Sequence, residues 1–188
     1  MYLYHLKPKN LEGSILYPLN QIKERFPEAY HDHYKKYQNR ADLPKIQVPK
    51  TGLTWSDFLH FSPYDFRALK AAAMSGLRDY AEHFAAFDRD YFRVDSHDLE
   101  ADKLFIFFNR KKKGSTNDHN IAAEEIAPFS EYKGELPTEI SEEQIDDYRL
   151  AIESGRGPLL FSRSVHVLYA GSVCVENTVV FSTGTGGG

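Results

Sequence analysis

Residues 55–64 constrain the fold most, because a strand pattern stands there directly before the signals that begin a helix. Residues 58–61 are aromatic and apolar, as in a short strand. Ser62 then matches a helix N-cap, Pro63 the first helical position and Asp65 the acidic first turn. A polar side chain at such a corner is held from both sides, which suits a binding site. The stretch predicts a strand joined to a helix, with a candidate site at the corner.

Three helical segments are predicted from apolar residues spaced by three or four positions. In the longest, Gly76 lowers helix propensity by about 1 kcal/mol and should loosen the helix. Pro27 should divide the first, because its ring removes a helical hydrogen bond. Ser141 and Gln144 form a capping box at the start of the third, which should stop at Gly155. The predicted segments are 18–37, 63–87 and 141–155.

Strand patterns occupy the start, the middle and the end of the chain. The predicted strands are residues 2–6, 58–61, 91–95, 104–108, 159–161, 165–169 and 172–181. Residues 104–108 are continuously apolar, which predicts a central strand covered on both faces. A turn at residues 170–171 predicts a terminal hairpin. Together these patterns predict an α+β fold, a mainly antiparallel β core with two to four helices packed around it.

The length of 188 residues favours one globular domain, assigned to residues 1–182. Residues 183–188 are predicted to be a disordered glycine-rich tail. Residues 109–138 are polar and acidic, with one helical turn near 121–126, and loops of this length are typically lids or disordered. Residues 39–52 contain two prolines and are predicted to be an extended connection.

Charge and cysteine content narrow the class of partner. With 23 basic and 27 acidic residues the net charge is −4, so nucleic acid is not the expected partner. The single cysteine, Cys174, lies in an apolar run and is predicted to be a buried thiol, which fits a reducing compartment. No apolar segment approaches the roughly 18 residues that cross a bilayer, and no signal peptide is evident. A cytoplasmic protein without a membrane partner is predicted.

Three histidines lie on predicted strands beside aromatic residues, namely His5, His60 and His166. Alternation places His166 and Leu168 on one face of their strand, where His166 can point into a partly apolar cavity. A neutral imidazole can donate, accept or ligate, so the three together form a candidate site, although each alone is more typical of a structural or surface histidine. The gaps between them exceed the short spacings of zinc motifs, and no metal site is predicted.

Other chemical signatures are weak. Ser62 has no Gly-x-Ser-x-Gly context and Cys174 has no neighbouring base, so nucleophilic catalysis is not predicted. Arg163 lies near the His166 strand, and its planar fork suits an anion such as phosphate or carboxylate. Glu176 follows Val175 on a predicted strand, but alternation does not decide which way it faces.

The order of the strands around Tyr4-His5-Leu6, Leu59-His60-Phe61-Ser62 and Val165-His166-Val167 resembles that of the ADP-ribosyltransferase-like superfamily. Residues 5–20 also match the pattern His-Leu-x-Pro-x-x-Leu-x-Gly-Ser-x-Leu-Tyr-Pro-Leu-Asn of an uncharacterised bacterial family that this chain resembles over most of its length. The superfamily resemblance implies a split antiparallel β core whose cleft binds NAD.

The same resemblance implies roles for individual residues. It places His5 against the ribose of NAD, and His60 or Ser62 on the second strand of the cleft. Glu176 is the positional candidate for the catalytic glutamate, with His60 as a second catalytic candidate. Beside these, Arg163 as an anion clamp and His166 in its partly apolar cavity are the cofactor-binding candidates that the residues themselves suggest, together with His5 and Ser62.

Two hypotheses follow for the function. The first is an ADP-ribosyltransferase-like enzyme that binds NAD, a small-molecule nucleotide ligand, with residues 109–138 covering the cleft. The alternative is a non-catalytic ligand-binding or protein-interaction domain, which would use the same cavity or the tyrosine-rich helix at residues 18–37. Those tyrosines, Tyr30, Tyr34 and Tyr37, are expected in the core rather than on an interface.

Overall fold

Two antiparallel sheets form the centre of the protein. The computed structural model describes residues 1–9, 11, 13–108, 121–137, 139–155 and 164–182. Sheet I has the strand order β1-β6-β11, with β1 Tyr2–Leu6, β6 Asp90–Asp95 and β11 Val179–Ser182. Sheet II has the order β5-β9-β7-β8 and comprises β5 Leu59–Phe61, β7 Leu104–Phe108, β8 Ile126–Pro128 and β9 Val165–Tyr169.

Two short ribbons and four α-helices complete the described part of the chain. β2 Ile15–Leu16 pairs with β10 Val173–Cys174, and β3 Gln47–Val48 pairs with β4 Leu53–Thr54. The helices are α1 Leu19–Arg25, α2 Pro27–Tyr34, α3 Phe66–Gly76 and α4 Glu142–Glu153. No helix of the described residues is long and apolar enough to cross a membrane.

The two sheets meet where β1 approaches the end of β5. The Tyr4 N–H donates to the Ser62 carbonyl and the Ser62 N–H donates to the Tyr4 carbonyl, both at 2.8 Å. This reciprocal pair is an isolated antiparallel bridge, which we call the seam. The β core is therefore split into two sheets. Strands pair within each sheet, and among the described strands this single bridge joins sheet I to sheet II.

Three apolar clusters lie on the faces of the sheets. The inner core combines one face of both sheets and includes Leu3, Phe61, Val94 and Val167. On the other face of sheet I, Tyr91 packs with residues of α3 and α4. On the other face of sheet II, Phe107 and Leu168 pack with the β3–β4 region. Each sheet is therefore buried on both faces over much of its area, which explains its aromatic and β-branched composition.

Several sequence predictions are confirmed. The fold is α+β, with antiparallel pairing throughout the named strands. The strand Leu104–Phe108 lies inside sheet II, between β9 and β8. Pro27 begins α2 directly after α1, so it divides the first helix. The capping box is formed, because the Gln144 N–H donates to Ser141 Oγ and the Ser141 N–H donates to Gln144 Oε1.

The predicted terminal hairpin is wrong. β9 pairs with β5 and β7, β10 pairs with β2, and β11 pairs with β6, so the last strands never pair with one another. A turn pattern is local, whereas the partner of each strand is selected by apolar faces far away in the sequence.

The predicted long helix is shorter and starts later. α3 begins at Phe66, and Asp65, not Ser62, is its N-cap, with its side chain accepting from the Arg67 N–H. α3 ends at Gly76, and a 3-10 helix, Arg78–Phe87, continues the chain. A Cβ added at Gly76 would lie 2.8 Å from Ile145 Cγ2, so the glycine permits α3 to approach α4 closely.

Three further predictions need correction or lie outside the described residues. Cys174 is exposed, because only Val173 and Val175 of its run face the core. Residues 39–52 include the 3-10 helix Leu43–Lys45 and β3, so they are not simply extended. In the predicted loop, a turn at Ala123–Glu125 leads into β8. Residues 109–120, 138, 159–161 and 183–188, which carry the rest of the lid, one predicted strand and the tail, lie outside the described residues.

The corrected N-cap predicts a pH-dependent part of the stability. Burial alone would raise the pKa of Asp65, but hydrogen bonds from Arg67 and Tyr91 outweigh it and hold that pKa below its ordinary value. Because the folded pKa is depressed, this stabilisation is complete above the unfolded pKa of about 3.9 and is lost as pH falls through the folded pKa. In Asp65→Asn, which retains a capping oxygen, urea unfolding should show a smaller loss of stability below about pH 4 than the wild type.

Asp146→Asn, a change of an exposed aspartate on α4, is the matched control and should keep the wild-type pH dependence. Identical pH profiles for the wild type and Asp65→Asn would contradict the assigned role of Asp65.

Candidate functional site

The structure divides the predicted site residues between different surfaces. His5 lies on β1, in register with Phe92, and so projects toward the inner core. His60 and His166 lie on sheet II and project from the opposite face, toward the cluster around Phe107. Ser62 lies in the seam. The three histidines therefore do not converge on one cavity, and Arg163 lies outside the described residues.

The Ser62 side chain is committed to the local backbone. It is 1% exposed, and its Oγ accepts from the Tyr64 N–H at 3.0 Å and is 3.2 Å from the Tyr64 carbonyl oxygen. These contacts fix the turn that leads from β5 toward α3. Ser62 thus shapes the corner that the sequence predicted, through a turn rather than a helix cap.

His5 lies next to the seam. Its Nδ1 is 2.7 Å from the Leu6 carbonyl oxygen, a distance at which Nδ1–H donates. Its ring meets Phe61 edge to face, with centroids 5.5 Å apart. Since Phe61 belongs to β5, this contact joins the two sheets through side chains, just beside the main-chain bridge. His5 is half-buried and held in one orientation.

His60 and His166 belong to a row of aromatic rings on the outer face of sheet II. His60 lies against Trp55, with ring centroids 4.3 Å apart, and its Nε2 is 3.2 Å from the Trp55 carbonyl oxygen. Trp55 contacts Phe107, whose ring is 5.8 Å from that of His166. The predicted shared face of His166 and Leu168 is confirmed by their pairing with Phe107 and Phe105. His166 is buried and lies 3.2 Å from Ser164 Oγ, so it is part of a packed cluster.

A polar network, which sequence reasoning missed, supports this row. Asn20 Nδ2 donates to Asp57 Oδ1 at 2.6 Å, and Ser56 Oγ donates to Asn20 Oδ1 at 2.9 Å. Thr54 and Asp57 form a capping box around the short helix Trp55–Asp57. The Thr-x-x-Asp spacing was the available signal. Because the network fixes this helix, it also fixes the Trp55 ring over His60.

The network changes the acidity of Asp57. Burial would raise the pKa of Asp57, but hydrogen bonds from Asn20 and Thr54 lower it below its ordinary value. The carboxylate is thus kept charged to accept three donors, and its role is structural.

Glu176 lies in the turn after β10, closed by a bond from the Thr178 N–H to the Val175 carbonyl. Its side chain is exposed, and the described residues give its carboxylate no hydrogen-bond or ion-pair partner. Val175, directly before it, packs in the inner core with Leu3 of β1. Glu176 therefore directly follows a residue of the inner core, and its carboxylate is exposed to solvent.

A cationic cavity lies where β1 ends, β6 begins and β11 ends. It has a volume of about 380 Å³ and is lined by Lys7, Lys9, Arg89, Asp88, Asp90, Pro8 and Ser182. Asp88 is already engaged by Lys70, so the three cations face one further carboxylate in the described lining. Lys7 follows His5 by two residues, directly after β1 ends at Leu6. We call this feature the β1-end cavity.

Among the described residues, no three His, Cys, Asp or Glu side chains lie close enough together to hold a metal ion. No protein-family model, curated protein or solved structure matches the chain.

The Trp55–His60 contact gives an optical test of the row. The chain has one tryptophan, so its emission reports the surroundings of Trp55. The His60 ring lies 4.3 Å from the indole ring, so His60→Ala should admit water to that side of the indole and shift the emission maximum to longer wavelength. His31→Ala, at an exposed histidine on α2, should leave the emission maximum unchanged.

If the emission maximum of folded His60→Ala equals that of the wild type, the ring contact does not govern the indole environment.

Proposed function

We propose that the protein is an ADP-ribosyltransferase-like enzyme that binds NAD at the end of β1, beside the seam. The observation that carries the proposal is the β1-end cavity, since two of its three cations, Lys7 and Lys9, follow His5 by two and four residues where β1 ends. A volume of about 380 Å³ falls within the range of roughly 300–1,000 Å³ that small-molecule sites occupy. The split β core agrees with the fold that the sequence resemblance implies.

Charge complementarity supports NAD in this position. Its pyrophosphate carries two negative charges, and Lys7, Lys9 and Arg89 in the lining of the cavity supply positive charge. Arg89 is held near β1, with Nη2 3.5 Å from the Lys7 carbonyl oxygen. Arginine and lysine together bind phosphate well, the first through a planar fork and the second as a point charge. His5 would then hold the adjacent ribose.

The chemistry needs few protein groups. The bond between nicotinamide and ribose C1′ breaks, its electron pair leaves with nicotinamide, and positive charge develops on the ribose ring. A carboxylate near this charge stabilises the transition state, and an acceptor hydroxyl, amine or water then adds to C1′ and loses its proton. Glu176 is the proposed carboxylate on the basis of the sequence resemblance, and its side chain is exposed beside Val175 of the inner core.

The remaining sequence candidates receive other roles in this proposal. His60 and His166 face away from His5, so they act in packing the outer face of sheet II. Ser62 shapes the seam turn. The proposed active site therefore retains His5 and Glu176 from the sequence prediction and adds Lys7, Lys9 and Arg89.

Thermal unfolding with NAD or ADP-ribose tests binding, and chromatographic detection of released nicotinamide tests turnover. A ligand at 100 times its Kd should raise the free energy of unfolding by about 2.7 kcal/mol. His5→Ala and Lys7→Gln should reduce this stabilisation. Glu176→Ala should preserve NAD binding but lower turnover by about 100-fold or more, because it removes transition-state stabilisation.

The matched controls are His31→Ala, Lys45→Gln and Glu28→Ala, which change exposed residues away from the cavity. Absence of stabilisation by both ligands in folded wild-type protein would refute the NAD proposal. Unchanged turnover in Glu176→Ala would refute the role of that carboxylate.

A second candidate, a protein-interaction domain, is favoured by the surface of α1 and α2. α2 has no buried residue. Of the three tyrosines expected in the core, only Tyr37 is buried, and it lies in the 3-10 helix Lys35–Arg40 that follows α2. Tyr30 and Tyr34 are half-exposed, with ring centroids 5.4 Å apart. Lys23 lies 5.9 Å from the Tyr30 ring centroid. Exposed tyrosines are enriched at interaction surfaces.

Affinity capture with the purified chain as bait tests this candidate. A double change, Tyr30→Ser with Tyr34→Ser, should abolish recovery of any partner that binds the α1–α2 surface, because it removes both rings. Leu150→Ser, at a residue that is 60% exposed on α4, is the control and should not. Equal recovery with wild type and the double variant would exclude this surface as the interface.

A further inference from the structure

Arg93 lies on the outer face of sheet I, between two aromatic rings. Its guanidinium carbon is 4.2 Å from the centroid of the Tyr2 ring and 5.0 Å from that of Phe181. The rings come from β1 and β11, the two neighbours of the strand that carries Arg93. Antiparallel pairing aligns Arg93 with Tyr4 on one side and Val179 on the other, so the arrangement is built by strand register.

Arg67, the neighbouring arginine, differs from Arg93 because it is paired with a carboxylate. Arg67 also covers Phe181, at 4.3 Å, but its guanidinium binds Asp65 through Nη2 at 2.9 Å. Asp65 thereby neutralises Arg67. No carboxylate of the described residues forms a salt bridge with Arg93, and its guanidinium lies against the two rings. Arg93 therefore keeps its full charge while its orientation is already restricted.

We propose that Arg93, with Tyr2 and Tyr4, forms a binding site for a nucleoside monophosphate. Rings over the faces of a guanidinium leave its N–H edge to form paired hydrogen bonds with phosphate oxygens. Tyr4 lies directly opposite Arg93 in the register, so its hydroxyl can donate to the same oxyanion. Burial and the negative charge of Asp65 raise the pKa of the Tyr4 hydroxyl, and they outweigh the lowering effect of the positive charges on Arg93 and Arg67. The hydroxyl therefore stays protonated.

The aromatic part of the ligand follows from Tyr2. This ring is 49% exposed although one of its faces is occupied by Arg93, so its other face is available for a planar base. Stacking of a base on an aromatic side chain contributes about 1–3 kcal/mol to binding in nucleic-acid proteins. Because the rings already hold the arginine, less conformational entropy is lost when the phosphate binds.

This site is independent of the proposed NAD site. Arg93 and His5 project from opposite faces of sheet I, because Arg93 pairs with Tyr4 and His5 pairs with Phe92. A defect in one site should therefore leave the other intact.

Calorimetry with AMP, ribose 5-phosphate, adenosine and inorganic phosphate tests the proposal. Wild-type protein should bind AMP more tightly than ribose 5-phosphate, and adenosine most weakly. Arg93→Gln and Arg93→Lys should each weaken AMP binding by about tenfold or more, since lysine retains the charge but loses the fork. Tyr2→Leu should reduce AMP affinity to that of ribose 5-phosphate. Unfolding temperatures establish that each variant is folded.

Arg149→Gln, which removes an arginine paired with Asp146 on α4, is the control and should bind AMP normally. The proposal is overturned if Arg93→Lys binds AMP as tightly as the wild type, or if adenosine binds as tightly as AMP. It is also overturned if His5→Ala, rather than Arg93→Gln, abolishes AMP binding, since AMP would then occupy the NAD site.

Discussion

The reciprocal hydrogen bonds between Tyr4 and Ser62 are the constraint on which the architecture depends. Sheet I and sheet II are separate hydrogen-bonded units, and the seam fixes where they meet and in which register. With that register set, one face of each sheet turns toward the same apolar cluster. Each side chain fully buried there contributes roughly 1.5–3 kcal/mol, so a correctly placed seam is stabilised by many contacts beyond its two bonds.

The seam also decides which polar residues can act together. Side chains alternate along a strand, so adjacent residues project from opposite faces. His5 meets Phe61 across the seam, and His60, next to Phe61, consequently faces outward toward Trp55. One residue of difference in register would exchange these positions. The separation of the three histidines is thus a direct consequence of strand pairing.

Polar groups in this protein fall into two kinds. Asn20, Ser56 and Asp57 satisfy one another, as do Asp65 and Arg67, and no buried side-chain polar atom of the described residues lacks a hydrogen bond. Such networks hold elements in place, because breaking one leaves a costly unsatisfied group. Arg93 differs, since aromatic rings orient it without neutralising its charge. An oriented charge that the fold does not neutralise is the more useful one for binding.

Local sequence signals determined the types of element and several of their ends. The apolar strand at residues 104–108, the division at Pro27 and the capping box at Ser141 depend on neighbours within a few residues, so they could be predicted. The N-cap at Asp65 was missed, since both Ser62 and Asp65 satisfy the same local rule. The tertiary structure alone decided which strands pair, that the seam joins Tyr4 to Ser62, and that His5 and Arg93 occupy opposite faces. Main-chain hydrogen bonds are the same for every strand, so partner and register are selected by the burial of distant apolar faces, which no local pattern specifies.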